Sequence, residues 1–342
     1  MTSRKKFYIM EVERIDIMKK QNLKSLVVQP SRVRGGGFTM AEILLSLTII
    51  GVVAAITLPS LTGNINERTW NTQRKALYAR MSQAISLMPA LSGYGAENPD
   101  TSAETFITAG LAKVLKINNI CDNEHLTDCG IVSKYVNMVG STKTFPKTLT
   151  ELSPNIFQVG THCVSRDTKA AAFETANGES IAVYYNSGCR DYQMYAASSD
   201  PNREPEYGWG QPMMCVNFIY DLNGSKGPNT VGKDIGFISA IKPVDSQVVA
   251  PLPYIQDAST STPWANAAKS CSLQDSEARI PNLYELMSMV YNKELTGMQS
   301  STNNFWSGSL YSAKYAWDVD VQDGGIAVHI KTDNRSVRCI KR

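Results

Sequence analysis

The polarity pattern of this chain changes character more than once along its length. From Phe38 to Leu58, twenty-one residues (58 − 37), the run is apolar and Glu42 is its only charge. About 20 apolar residues cross a bilayer as a helix, so the run has transmembrane length. Past Pro59 the composition mixes. Trp70, Leu77, Met81, Ala84 and Met88 recur at steps of seven, four, three and four, the spacing of one helix face. Arg68, Arg74, Lys75 and Arg80 flank that stripe, and no glycine falls between Gly63 and Gly93. The pattern predicts one helix from Phe38 to about Leu91, roughly 80 Å long at 1.5 Å per residue. Pro59 and Pro89 are its points of kinking or ending. Its outer stripe predicts a globular head of the same chain packed on it.

Shorter periods follow. Thr105–Ile117 reads as a helix with Phe106, Leu111, Val114 and Leu115 turned inward. Strand-like runs cover Ile156–Val164, Lys169–Thr175, Ser180–Tyr185, Met213–Leu222 and Ile235–Ile241, with the hairpin signal Asn177-Gly178 between two of them. Lys242–Pro263 holds four prolines and few charges and reads as a strap between two units. In the last unit Asn282 can cap a helix that buries Leu283, Leu286, Met287 and Val290.

Charge divides the chain at its start. Residues 1–37 hold nine Lys/Arg against Glu11, Glu13 and Asp16. That excess keeps this end cytoplasmic and sends the remainder outward; Met10 and Met18 are alternative starts. Removing these residues takes six charges from a net +3, leaving 305 residues (342 − 37) at −3. Nucleic-acid binding argued from basic charge then has no basis, and no nucleic-acid partner is expected. A carboxylate within an apolar helix costs several kcal/mol unless a cation neutralises it, which marks Glu42 as functional.

The stretch Gly35-Gly36-Gly37-Phe38-Thr39-Met40-Ala41-Glu42, with Gly51 and Pro59 beyond it, resembles the prepilin signature of type IV pilins and type II secretion pseudopilins. The resemblance implies that a membrane aspartyl prepilin peptidase cuts between Gly37 and Phe38 and methylates the new amine. It also implies that Glu42 pairs with the N-terminal amine of a neighbouring pilin subunit during assembly. An ordinary single-pass anchor with a stray Glu is the alternative. The fold class that follows is α+β: a long N-terminal helix, membrane half plus amphipathic half, on an antiparallel sheet head, with a second small α+β C-terminal domain. The expected division is a cleaved leader (1–37), the pilin helix (38–92), the head (93–255) and a surface domain (256–342).

Between two predicted strands lies Asp221-Leu222-Asn223-Gly224, closed by Asn229 and Asp234. Oxygen-bearing side chains at that spacing suit a hard cation such as calcium. The loop is not an EF-hand, because glycine comes fourth and no Glu closes it. Similar loops occur in pilin-like proteins, and some pseudopilins hold calcium in their β-region. A plain turn, with Asp221 and Asp234 accepting from loop amides, is the other reading.

Seven cysteines, at 121, 129, 163, 189, 215, 271 and 339, all lie past the apolar run. In an exported head they read as disulfides, with one thiol left over. The candidate pairs are Cys121 with Cys129, Cys189 with Cys215, and Cys271 with Cys339, leaving Cys163. Zinc needs paired short Cys or His spacings that are not present. Three scattered histidines (125, 162, 329) and the lack of a G-x-S-x-G or phosphate loop give catalysis no support.

The segments Arg279-Ile280-Pro281-Asn282-Leu283-Tyr284-Glu285-Leu286, Phe305-Trp306-Ser307-Gly308-Ser309, Ala316-Trp317 and Val337-Arg338-Cys339-Ile340 resemble a bacterial surface domain. It is known from Fibrobacter paralogous proteins and from the C-terminal domain of collagen-like adhesins, and looks related to C-type lectins. Trp306 and Trp317 read as core. Loops at Gln299–Asn304 and Asp318–Gly325 read as exposed contact surface for a surface glycan or protein ligand.

The expected protein is therefore a non-enzymatic, structural and minor or tip-proximal subunit of a pilus or pseudopilus. Its expected partners are prepilin peptidase, the inner-membrane assembly machinery, membrane lipid before assembly, and other subunits. The expected location is a single pass in a bacterial inner membrane, then a periplasmic or extracellular filament. A filament-tip adhesin is the alternative function.

Overall fold

The structure, a computed structural model, describes residues 39–93, 102–154, 169–186, 213–242, 247–249, 254–298, 304–322 and 324–341. Gly37, Phe38, Cys163, Cys189 and the expected strand Ile156–Val164 lie outside the described residues. Helix α1 runs Met40–Ser92, and Gly93 with φ +72° ends it, its amide donating to the Pro89 carbonyl. The chain divides into two compact units inside this helix, 1–62 and 63–342.

In the second unit, α1 buries Leu77, Met81, Ala84, Ile85 and Met88. They lie on one face of a six-stranded sheet. Its order is β1 (Ile117–Cys121), β4 (Ala171–Thr175), β5 (Ser180–Tyr185), β6 (Met213–Asp221), β7 (Ile235–Lys242) and β8 (Gln247–Val249), every pair antiparallel. Strands β2 (Lys134–Val136) and β3 (Thr142–Thr144) form a separate ribbon. Alternation along β5 is informative. Ile181, Val183 and Tyr185 join the α1 core, whereas Ala182 and Tyr184 join a second core on the opposite face. A strand buried on both faces is apolar throughout, so β5 shows no polar alternation in sequence. Arg80 of α1 pairs with Glu179 at the β4–β5 turn, and Thr175 donates to the same carboxylate.

A third sheet holds β10 (Ala278–Arg279), β14 (Asn334–Lys341), β11 (Asn304–Leu310), β12 (Tyr315–Asp320) and β13 (Ile326–Ile330), with β9 (Tyr254–Pro263) pairing β14. Two helices belong to it, α2 (Trp264–Gln274) and α3 (Leu283–Tyr291). Asn282 and Glu285 cap α3 reciprocally, each accepting from the other's backbone amide at 2.8–2.9 Å.

The expected fold class is overturned on three points. The molecule is mixed α/β with three sheets rather than a head plus a second small domain: Leu286, Met287, Met289 and Val290 of α3 and Phe305, Val319 and Ile340 share one core with Tyr184, Met214 and Phe237. Asn292 seals that junction. Its amide and that of Asn217 exchange hydrogen bonds at 2.7 and 3.0 Å, and Ser239 adds a bond to Asn217 at 2.7 Å. Next, only the part of α1 from Gly63 onward belongs to the unit of the sheets. Finally, among the described residues no helix is long and apolar enough to cross a membrane. From Glu67 outward the helix is charged. The transmembrane helix, and with it the single pass in an inner membrane with the head outside, is accordingly corrected.

The segment Thr105–Ile117 also differs from a plain helix. It is a short α-turn (Ala103–Thr105), a π-helical turn (Phe106–Gly110) and a 3₁₀ turn (Leu111–Lys113), with strand β1 starting at Ile117. The strap at 242–263 contributes strands β8 and β9.

Candidate functional site

Two places carry chemistry. At the start of α1, Glu42 is the third helical residue. Its carboxylate accepts from the Thr39 amide and hydroxyl, both at 2.9 Å, while the Glu42 amide donates to Thr39 Oγ1 at 3.3 Å. This is a capping box. The sequence reading missed it, although Thr39-x-x-Glu42 is its signal. Glu42 therefore has a partner within its own chain. Around it, Met40, Ile43, Leu44, Leu45, Leu47, Ile49 and Ile50 are all exposed.

The second place is the loop between β6 and β7. Asp221 ends β6 and is 4% exposed; one of its oxygens accepts from the Asn223 amide at 3.1 Å. Asp234, fully buried, accepts from the Asn229 and Thr230 amides, both at 2.8 Å. The turn reading therefore accounts for part of the loop. It leaves three oxygens unexplained: Asp221 Oδ2, Asn223 Oδ1 and Asn229 Oδ1 are buried and have no hydrogen-bond partner among the described residues. Asn229 is the one non-glycine described residue with positive φ, +51°, a conformation that asparagine tolerates better than most residues. Burial, followed by the charge of Asp234, pushes the Asp221 carboxyl up to about 7.

The loop is anchored on two sides. Val136 of β2 donates to the Asn229 carbonyl at 2.9 Å and accepts from the Val231 amide at 2.8 Å. Arg74 of α1, 8% exposed, donates through Nη2 to the carbonyls of Gly232 and Lys233, both at 3.0 Å. Gly236 lies under the Tyr220 ring, and a Cβ there would come within 2.2 Å of the phenol oxygen. Among the described residues no group of three His, Cys, Asp or Glu side chains is arranged for a metal. The donors here are instead carboxylate and amide oxygens, which suit a hard cation. Asp221, Asn223 and Asn229 carry the unpartnered oxygens of this kind, and Asp234 is engaged with the loop amides.

The disulfides Cys121–Cys129 and Cys271–Cys339 are formed, with Cα–Cα separations of 6.0 and 5.5 Å. Cys215 is also disulfide-bonded. Trp306 is fully buried and Trp317 half-buried, edge-on to the exposed Tyr311 at 5.3 Å. Residues 299–303 lie outside the described residues. The loop expected at Asp318–Gly325 is not a free surface, because Asp318, Val319 and Val321 are buried. Asp318 accepts from Arg335 at 2.8 Å and lies 2.8 Å from the ring of His329. No family model and no curated protein sequence matches this chain.

Proposed function

We propose that the chain is a structural subunit of a filament of the type IV pilus or type II secretion pseudopilus kind, assembled after cleavage between Gly37 and Phe38. One observation carries this reading: over Met40–Val53 large apolar side chains are exposed at successive positions, hence on every side of the helix. A helix apolar all round is stable only when surrounded. Copies of the same helix supply that surrounding, with Glu42 as the one charge available to orient them. Cleavage before Phe38 places a new amine one residue ahead of Thr39, within reach of a neighbour's Glu42 once its capping bonds are exchanged. Glu42→Val should leave cleavage intact and abolish incorporation into sheared filaments. Normal incorporation of that variant would sink the assembly role.

The same reading gives the β6–β7 loop the task of holding a hard divalent cation, calcium above all. Buried oxygens without partners cost roughly 1–3 kcal/mol each, and an oxygen-seeking ion removes that cost at three atoms together. Magnesium, which demands a tighter octahedron, makes the useful comparison. Melting temperature of the full-length chain is expected to rise with micromolar to millimolar calcium and much less with magnesium. A melting curve unmoved by calcium would remove the cation from the account.

A further inference from the structure

We propose that Arg74 couples the cation loop to helix α1, so that filling the loop tightens the helix on the sheet. This rests on the cation reading above and adds to it a positioning residue and a consequence. Arg74 is almost wholly buried, yet no carboxylate among the described residues is bonded to it. Its Nη2 spans the carbonyls of Gly232 and Lys233, and Nη1 donates to Asn71 Oδ1 of its own helix at 3.2 Å. The two carbonyls directly precede Asp234, whose carboxylate holds the amides of Asn229 and Thr230. One peptide segment thus presents carbonyls to the helix on one side and, through Asp234, holds Asn229, which carries one of the orphaned oxygens, on the other.

The consequence follows from linkage. With no cation, the loop keeps three unsatisfied oxygens and the Asp221 and Asp234 carboxyls close together, so its closed form is disfavoured. A cation that favours the closed loop also fixes the two carbonyls that Arg74 grips. By reciprocity, losing that grip weakens the cation as much as the cation strengthens the grip. The stripe Leu77, Met81, Ala84 and Met88 begins within one turn of Arg74, so tighter anchoring there reaches the buried face of α1.

Hydrogen exchange on the full-length chain, with and without calcium, tests this in wild type, Arg74→Gln and Arg74→Lys. In wild type, calcium is expected to slow exchange in 221–234 and in 74–88 with the same midpoint. In Arg74→Gln the loop should still respond, the helix should not, and the calcium midpoint should rise about tenfold. Arg74→Lys, which keeps the charge and one donor direction, should fall between. If the Gln variant's helix responds as wild type does, the coupling is overturned while the cation reading stands. If the wild-type loop ignores calcium, the cation reading fails and takes the coupling with it. Should Arg74→Gln not fold, the wild-type helix decides: a calcium midpoint matching the loop's supports the coupling, and an unresponsive helix overturns it.

Discussion

At the scale of single residues, Asp221 has the most measurable consequence. Its carboxyl is raised to about 7 in the folded chain, against about 3.9 in an unfolded one. A group raised in this way binds its proton more tightly when folded, so its contribution is fully present below pH 4 and is lost as pH climbs through 7. Stability without calcium should therefore fall between pH 4 and pH 7, by up to about 4 kcal/mol. Asp221→Asn should flatten that slope, because the amide has no proton to lose. Saturating calcium should also flatten it, since a bound cation favours the ionised carboxylate. Denaturant midpoints across that pH range, in calcium and in chelator, check all three. A slope surviving in Asp221→Asn would assign it to another group.

At the scale of elements, legibility depended on whether the deciding contacts were local. Strands β5, β6 and β7 were readable within a residue or so, because burial on both faces gives apolar runs bounded by Asn-Gly and Asp-Leu-Asn-Gly turns. Asn282 as a helix cap was readable for the same reason. The segment Phe106–Gly110 was not, since apolar spacing locates a buried face without stating the π hydrogen-bonding pattern that presents it. The loop at 221–234 showed its oxygens in sequence, but not its anchoring by Arg74, which lies 158 residues away from Gly232. For α3, the spacing of Leu283, Leu286, Met287 and Val290 says that one face is buried and says nothing of what buries it. The structure supplies β7 and β12 as neighbours. Leu286→Ala, at a site with no exposure, should cost about 2–5 kcal/mol. Because α3 belongs to the shared core, that loss should appear in a single unfolding transition seen equally by probes in β5 and β12.

At the scale of the whole molecule, the shared core changes how the last ninety residues can be used. Read as a detachable surface domain, 256–342 would fold alone and could be presented to candidate ligands by itself. The structure argues against this. Cutting before β9 would leave Leu286, Met287, Val290 and Tyr291 uncovered on one piece and Tyr184, Met214 and Phe237 on the other. It would also strand buried Asn217 and Asn292 without each other, and exposed apolar patches of that kind aggregate or recruit a partner. The Cys271–Cys339 bridge ties the ends of the C-terminal piece but replaces none of those contacts. Neither 63–253 nor 254–342 expressed alone should show the dispersed amide spectrum of a folded protein, whereas mixing or co-expressing them should recover it at a 1:1 ratio. A well-dispersed spectrum from 254–342 by itself would show that the C-terminal sheet has a sufficient core of its own, and would restore it as an independent module.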